Sequence, residues 1–453
     1  MAGWSRKLAS QRDPTESPVW KVAVAASLGT FFDYYDVFLA ATAASLVWPT
    51  VFFAGLGTRM AIALSLGAFG LNFVVRPLGA AIFGHYGDRL GRKRVLSWTL
   101  LVSALGTAGI ALLPSSASIG LLAPVILYAL RLIYGLGLGG EWGGAVSWLV
   151  EAAPKSRKRG LLAGFVQVVQ PLAGVVSSLS FVAILLLPYS EFLAWGWRIL
   201  FIIGSLIAVV GFVTRARLAE TPMFRELQAS KGVTRSPVAE SIRKFGGRIA
   251  KSVGSILYLY TFFAFFSVPY ALTYMMASGL SPEESNLLFT GSLVVGVIAC
   301  LAGSALSDRF GRKRVIAASA ILSVASTYPW ISLVSTGSYL SVLVGLSLLT
   351  AAGQMGNGAI GAFLAEGFPS SSRYTSSGIA YNMAGTLGGV FSGFVLPVLI
   401  GTYGVANATF PGAIICGVAA LGSLGSLMLV KETKRTKLTL NADPYGRGAQ
   451  TTA

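Results

Sequence analysis

Twelve long apolar stretches, separated by short polar segments, constrain this chain more than any other feature. A helix needs about 20 residues to cross the hydrocarbon of a bilayer, and each stretch is about that long or longer. They lie at residues 20–48, 59–83, 95–113, 122–150, 161–187, 195–214, 251–277, 286–306, 315–335, 339–365, 375–400 and 408–430. Only 11% of the 453 residues are charged, against about 25% in a soluble protein. The sequence therefore predicts an all-α membrane protein with twelve spanning helices, and it excludes a soluble or disordered chain.

The longest polar segment, 215–250, divides the twelve stretches into two sets of six. We therefore expect two six-helix lobes, at 20–214 and 251–430, joined by a central loop at 215–250. Polar tails at 1–19 and 431–453 flank the lobes.

Topology accounts for most of the formal net charge of +18. All but four of the 35 Lys and Arg fall in segments that lie on the same side of the membrane as the N-terminus. The exceptions are Arg59, Arg76, Arg131 and Arg198. Because cytoplasmic segments carry the excess of Lys and Arg, we expect a multi-pass protein of the cell membrane with both termini in the cytoplasm. A nucleic-acid face would need a folded domain to carry it, and the central loop is too short.

Residue types that build metal sites and disulfide frameworks are scarce. The chain has one histidine, His85, and two cysteines, Cys300 and Cys416, which both lie in apolar runs. We therefore expect no metal site and no disulfide framework. A membrane-embedded enzyme would need a nucleophile, a metal cluster or a soluble domain, and the sequence shows none of these.

The two halves of the chain repeat each other. The motif Gly84–Arg94 after the second apolar stretch recurs as Ser307–Arg314 after the eighth. Glu151 and Arg159 after the fourth stretch likewise recur as Glu366 and Arg373 after the tenth. An internal repeat of six spans is typical of two-lobed secondary transporters, whose site lies between the lobes near the bilayer midplane.

These motifs also resemble a known family. The Asp88-Arg-Leu-Gly-Arg-Lys-Arg94 segment is similar to the signature loop of the major facilitator superfamily. The Asp33-Tyr-Tyr-Asp36 element, the glycine-rich run from Arg131 through Glu141, and Glu220-Thr-Pro resemble the metabolite:proton symporters, which include permeases for citrate, 2-oxoglutarate, shikimate and proline or glycine betaine. The family usually has Glu-Trp-Tyr-Asp where this chain has Asp33–Asp36, so the substrate is not fixed by the resemblance.

The resemblance implies a proton-coupled symporter that moves a small organic acid or zwitterion inward by alternating access, as a monomer. The proton gradient is then the energy source, and no cofactor is expected. A sialate-type symporter and an exporter or exchanger on the same fold stay open as alternatives, and a non-transporting membrane receptor or enzyme is a further one. The fifth stretch carries Gln170-Pro171 where antiporters have a glycine-rich Gly-Pro motif. This difference favours symport.

Ionisable residues inside spanning helices are costly and indicate function. Asp33 and Asp36 share one face of the first helix, and two carboxylates so close disfavour joint ionisation. We expect Asp36, then Asp33, then Glu141 to carry the coupled proton. The alternative for the two aspartates is a structural Asp–Arg pair that locks the first helix to the fourth. Arg76, next to a proline, is expected to be structural.

Two further sets of residues follow from the resemblance and from polar side chains at the expected depth. The predicted substrate-binding residues are Arg131, Tyr34, Gln167, Tyr270, Tyr274, Tyr381 and Asn382. The predicted gate and signature-loop residues are Gly84, Asp88, Arg89, Gly91, Arg92, Glu151, Arg159, Asp308, Arg309, Arg312, Glu366 and Arg373. Gly84, Gly87 and Gly91 are expected to permit a tight turn in this loop. In the superfamily this loop holds the cytoplasmic side shut.

Overall fold

The computed structural model describes residues 18–154, 156–230, 235–266, 268–434, 436 and 438. The secondary structure of these residues is helical, with no β-strand among them. The long helices coincide with the apolar stretches, because in hydrocarbon a helix satisfies every backbone hydrogen bond within its own segment.

The N-terminal lobe contains six long helices. They are α1 (Val19–Leu46), α2 (Thr58–Leu90), α3 (Arg92–Leu112), α4 (Leu122–Ala152), α5 (Arg159–Leu185) and α6 (Trp197–Ala216). Short helical turns at Trp48–Val51, Ser116–Ile119, Tyr189–Glu191 and Phe192–Gly196 lie in the connections.

The C-terminal lobe repeats this order. Its helices are α7 (Pro237–Phe266, continued by Val268–Ala277), α8 (Pro282–Phe310), α9 (Arg312–Val334), α10 (Tyr339–Glu366), α11 (Arg373–Val390, continued through a π-helical turn at Phe391–Val395 into Leu396–Asn407) and α12 (Thr409–Met428). A short helix at Pro222–Ala229 and a turn at Ser370–Ser372 complete the described elements.

Ten of the described helices are long and apolar enough to span a membrane. The other two predicted spans, 251–277 and 375–400, correspond to α7 and α11, each of which consists of more than one helical piece. The fold is thus the predicted all-α arrangement of twelve membrane helices in two lobes.

The central segment differs from the loop predicted at 215–250. Helix α6 ends at Ala216, a short helix occupies Pro222–Ala229, and α7 begins at Pro237. The first turns of α7 carry Arg243, Lys244 and Arg248. A search for apolar stretches misses this part of the helix, because it extends beyond the hydrocarbon.

The signature segment is also more helical than predicted. Among its glycines, Gly91 alone breaks the chain between α2 and α3, with φ of +109°, and Gly311 does the same between α8 and α9 at +105°. Gly84 and Gly87 lie inside α2 rather than in a turn. They allow close packing: a Cβ on Gly87 would lie 2.1 Å from the Tyr374 ring. The two glycines therefore let α11 approach α2.

The lobes meet along two helix pairs related by the repeat. Helix α2 packs against α11, and α5 packs against α8. Toward the ends that carry the signature segments, buried apolar residues of both lobes form one cluster, which includes Val146 and Ala163 of one lobe and Ile360 and Phe363 of the other. Two cavities lie between the lobes on the far side of this contact.

Candidate functional site

The larger cavity contains about 730 Å³ of empty space, part of which is open to solvent. None of the described residues that line it is charged. The lining residues are Gln170, Leu259, Tyr260, Phe262, Phe263, Phe289, Leu293, Ser323, Leu346, Leu349, Thr350, Gly353, Gln354, Asn357 and Tyr381. Most come from the C-terminal lobe, so this lobe supplies a wall of amides, hydroxyls and aromatic rings.

A chain of side-chain amides crosses from one lobe to the other beside this cavity. Gln167 Oε1 accepts a hydrogen bond from Trp142 Nε1 at 2.5 Å. Gln167 Nε2 donates to Asn357 Oδ1 at 2.7 Å. Asn357 Nδ2 then donates to Gln170 Oε1 at 2.5 Å and to Gln354 Oε1 at 2.9 Å. Gln167 therefore connects α4 and α5 to the cavity wall on α10.

The smaller cavity contains about 280 Å³ of empty space, part of which is open to solvent, and charged side chains line it. Its lining residues are Thr30, Asp33, Tyr34, Val37, Arg76, Leu138, Trp142, Tyr381 and Asn382. They come from α1, α2 and α4 of one lobe and α11 of the other. Asp33 and Arg76 are the two charged side chains in this lining.

Tyr381 lies between the two cavities and lines both. Its ring stacks on Trp142 with the centroids 3.6 Å apart and the planes 5° from parallel. Its hydroxyl shares a hydrogen bond with the hydroxyl of Tyr34. Tyr260 packs edge-on against its ring at 5.4 Å. Tyr34 and Tyr381, both predicted from the sequence, thus meet across the lobe interface.

Both carboxylate oxygens of Asp36 have partners. Arg131 Nη1 forms an ion pair with Asp36 Oδ2 at 2.8 Å, and Thr107 Oγ1 donates to Asp36 Oδ1 at 2.7 Å. The Asp36 and Arg131 side chains have no exposed surface, and neither residue is among the described residues that line these two cavities. The geometry therefore favours the structural reading, in which this pair locks α1 to α4, over contact between Arg131 and a substrate.

Asp33 is in a different situation from Asp36. It is buried, with 2% of its surface exposed, and its Oδ1 has no hydrogen-bond partner in the structure. Arg76, across the small cavity, donates to Asn72 Oδ1 at 3.1 and 2.9 Å, and its guanidinium lies 4.0 Å from the centre of the Phe73 ring. No carboxylate among the described residues forms an ion pair with Arg76. The structure thus places Arg76, expected to be structural, beside Asp33 in a cavity.

Glu141 has a partner that the sequence analysis missed. Arg215 grips both oxygens of Glu141, and Thr99 Oγ1 donates to Oε2 at 2.8 Å. Arg215 also donates to the carbonyl of Ala25 at 3.0 Å. Arg215 falls within the central loop predicted from the sequence, but in the structure it is fully buried near the end of α6. Glu141 is therefore neutralised by this ion pair.

The remaining predicted substrate residues separate into two groups. Asn382 lines the small cavity and donates to the Gly139 carbonyl at 2.8 Å. Tyr270 and Tyr274 line neither cavity. Tyr270 donates to the Val405 carbonyl at 2.8 Å, and its ring stacks on Tyr274. These two tyrosines instead pack within the C-terminal lobe.

The first copy of the signature motif, at the end of α2, forms a contact between the lobes. Asp88, at the end of α2, accepts hydrogen bonds from the backbone N–H groups of Tyr374 and Thr375, at 3.3 and 2.9 Å. Arg92 forms ion pairs with Asp88 at 3.1 Å and Glu151 at 3.2 Å. Asp88 thus places a carboxylate at the N-terminus of α11, where the helix dipole favours negative charge.

Glu151 closes the same contact from α4. Arg373, at the start of α11, forms an ion pair with Glu151 Oε1 at 2.7 Å. Arg92 Nη2 donates to the Ser370 carbonyl at 2.6 Å, and the Ser370 hydroxyl donates to Glu151 at 3.1 Å. All of these charged groups are buried. Each one has an oppositely charged partner, either in the opposite lobe or in its own lobe.

The second copy of the motif, at the end of α8, repeats this geometry on the other side of the interface. Asp308 accepts the backbone N–H groups of Gly160 and Leu161, at 2.8 and 2.9 Å, at the start of α5. Arg312 forms ion pairs with Asp308 at 2.8 Å and with Glu366 at 3.1 Å. Arg159 crosses the interface to Glu366 at 2.7 Å. We use the term gate for the two sets of residues together: Asp88, Arg92, Glu151 and Arg373, and their repeats Asp308, Arg312, Glu366 and Arg159.

Arg89 and Arg309 of the motif lie outside the gate. Both are exposed; Arg89 lies 3.2 Å from His85, and Arg309 stacks on Phe310. Basic residues at this position are most simply anchors at the membrane surface.

Two acids that the sequence analysis did not assign complete the gate region. Glu220 accepts the backbone N–H of Lys93 at 3.1 Å, at the start of α3. Glu432 accepts those of Arg312 and Lys313 at the start of α9. Burial raises the pKa of Glu220 above its ordinary value. The Glu-Thr pair that follows both α6 and α12 in the sequence was the available signal.

Comparison with known proteins agrees with this architecture. The family described as "Sugar (and other) transporter" matches residues 22–244, and "Major Facilitator Superfamily" matches residues 254–450. The inner membrane metabolite transport protein YhjE of Escherichia coli is 34% identical over 92% of this chain and 95% of that protein. The chain therefore belongs to the major facilitator superfamily, among its metabolite:proton symporters, and is a transporter rather than an enzyme.

Other relatives carry more specific names. The shikimate transporter of Escherichia coli is 32% identical over 92% of this chain and 95% of its own length. The citrate-proton symporter of Klebsiella pneumoniae is 32% identical over 86% and 88%. A structure of the proton:xylose symporter XylE bound to 6-bromo-6-deoxy-D-glucose has a TM-score of 0.75 at 18% identity, with 93% and 97% of the two chains covered. This last likeness concerns the fold.

Proposed function

We propose that this protein imports a small organic acid or zwitterion together with a proton, by alternating access, as a monomer in the cytoplasmic membrane. Both termini and the central segment lie in the cytoplasm, and the proton gradient is the energy source, with no cofactor. Support comes from the relatives, which include a citrate-proton symporter and a shikimate transporter. The distribution of Lys and Arg supports the orientation.

The observation that carries the proposal is the difference between the two aspartates of α1. A proton carrier must reach the substrate cavity and exist in both protonation states during the cycle. Asp36 is held by Arg131 and Thr107 away from either cavity. Asp33 lines the small cavity and has a carboxylate oxygen without a hydrogen-bond partner. We therefore assign the coupled proton to Asp33, the reverse of the order expected from the sequence.

The gate gives the second element of the cycle. Its buried ion pairs join the lobes at the cytoplasmic ends of α2, α4, α8 and α10. The large cavity lies on the other side of these pairs, since its α8 residues Phe289 and Leu293 precede Asp308 by about five and about four turns. This arrangement supports a conformation in which the cytoplasmic side is closed. Separation of Asp88 from α11 and of Asp308 from α5 would then open the cytoplasmic side.

The proposal is tested with purified protein in liposomes that contain a pH-sensitive dye. Shikimate, citrate or glycine betaine is added outside, with a proton gradient imposed and with the gradient collapsed by a protonophore. We expect one of these compounds to accumulate only with the gradient and to acidify the lumen. Accumulation without proton entry, or accumulation that persists after the protonophore has collapsed the gradient, would contradict symport.

A further inference from the structure

We propose that the substrate is a hydroxylated monocarboxylate, whose carboxylate pairs with Arg76 when Asp33 is protonated and whose uncharged body occupies the large cavity. The inference rests on the proposed function and specifies its substrate class. It follows from the charges that border the two cavities and from the polar groups that line the larger one.

The charges around Asp33 reduce to one pair. The groups that interact electrostatically with Asp33 are Glu141, Arg215, Arg76 and Asp36. Arg215 neutralises Glu141, and Arg131 neutralises Asp36, each through a buried ion pair. Among these described groups, Asp33 and Arg76 therefore remain as the two charges without an ion-pair partner, and both line the small cavity.

Protonation of Asp33 changes this balance. With Asp33 ionised, the small cavity has no net charge. With Asp33 neutral, Arg76 becomes a buried cation without a counter-charge, which is costly unless an anion pairs with it. A substrate with one negative charge restores neutrality. Proton binding and anion binding thus favour each other, as symport requires, and the transported pair of H⁺ and monoanion carries no net charge.

The same balance disfavours other substrate classes. A second or third carboxylate would enter a cavity whose described lining residues include no cation. The ammonium group of a zwitterion would lie there without an anion, unless it paired with an ionised Asp33, which would remove the coupling to protons. Buried charges without partners carry a large desolvation cost. One negative charge is therefore the number that these cavities match.

The large cavity indicates a hydroxyl-bearing body. Gln354 and Asn357 face it with amides, and Thr350 with a hydroxyl. Ser323 is fully buried, lines the cavity, and its hydroxyl has no hydrogen-bond partner. A site built from such groups favours a ligand that carries hydroxyls, because a ligand without them leaves the buried polar groups of the site without hydrogen-bond partners. The aromatic rings of the lining, among them Phe289, suit the apolar face of a ring.

The test uses proteoliposomes under an inward proton gradient, with four compounds compared: shikimate, which is a trihydroxylated monocarboxylate, its methyl ester, citrate and glycine betaine. We expect uptake of shikimate and none of the ester. Shikimate uptake should not depend on membrane potential set with potassium and valinomycin, because one proton and one monoanion carry no net charge. Proton-coupled uptake of citrate or betaine without competition by shikimate would overturn this inference and leave symport intact.

Variants separate the two halves of the site. Arg76→Gln should raise the KM for shikimate at least 30-fold, Arg76→Lys should restore part of it, and Arg198→Gln, which alters an arginine bound to backbone carbonyls outside the cavities, should leave it unchanged. Ser323→Ala should reduce the preference for shikimate over cyclohexanecarboxylate about fivefold. Equal KM values for Arg76→Gln and Arg198→Gln, in variants with unchanged melting temperatures, would refute the assignment of Arg76.

Discussion

Replacing Asp88 by Asn should shift the protein toward its inward-open conformation. Asp88 is fully buried, accepts two backbone N–H groups of α11 and forms an ion pair with Arg92 at 3.1 Å. Asn keeps the shape and one acceptor oxygen but loses the charge. Hydrogen bonds to charged groups contribute about 1.5–3 kcal/mol each, so we expect the closed gate to lose about 3 kcal/mol.

The open gate should lose far less, because water then solvates the same groups. A difference of about 3 kcal/mol corresponds to a shift of roughly 100-fold in the ratio of the two conformations. Asp308→Asn is the matched control, since it removes the mirror contact. The Asp308 side chain is 13% exposed, against 0% for Asp88. Water compensates part of its loss, so we expect a shift of about 10-fold.

A cysteine at Ser304 reports the opening. This serine is buried between α8 and α5, where a Cβ on Gly164 would lie 2.1 Å from its hydroxyl. With Cys300 and Cys416 replaced by Ser, an impermeant maleimide added to inside-out vesicles should react about 100-fold faster in Asp88→Asn than in the parent. Reaction at the parent rate would show that Asp88 does not hold the gate shut.

Three further predictions concern orientation and stability. Cysteines at the exposed Ser118 and Ser338 should react with an impermeant reagent in intact cells, whereas one at Ser230 should not; labelling at Ser230 would overturn the topology. Arg131→Ala should destabilise the fold by about 3–5 kcal/mol, because it leaves a buried carboxylate unpaired; an unchanged thermal unfolding midpoint would contradict this. Since the pKa of Glu220 is raised, the wild type should lose stability as pH rises through that pKa, and Glu220→Gln should lose less.

The fold was predictable because the bilayer imposes it. The length of each apolar stretch, the repeat and the placement of Lys and Arg together gave twelve helices in two lobes. The start of α7 at Pro237 was not predictable in the same way, because its first turns lie outside the hydrocarbon and are polar. Gly84 and Gly87 were expected to permit a turn, but the sequence does not distinguish a glycine in a turn from one in a close helix contact.

The residues of the gate could be predicted from the sequence, whereas the roles of the residues around the cavities could not. Asp88, Glu151 and their repeats were predictable because a motif present twice must be used twice in a pseudo-symmetric fold. The roles of Asp33 and Asp36 were not, since these residues share a helix face and only their surroundings distinguish them. Arg215 was assigned to a loop because it follows the last apolar residue, although its guanidinium extends inward to Glu141.

Proton-driven accumulation by Asp33→Asn and Asp36→Asn tests the central assignment most directly. Each variant is reconstituted, and uptake of labelled substrate is measured with a proton gradient and, separately, as exchange at equal pH. Asp33→Asn should exchange substrate but fail to accumulate it, because the variant cannot release a proton. Asp36→Asn should still accumulate substrate, to a degree limited by its stability. Full accumulation by Asp33→Asn, or loss of coupling in Asp36→Asn alone, would contradict proton transfer at Asp33.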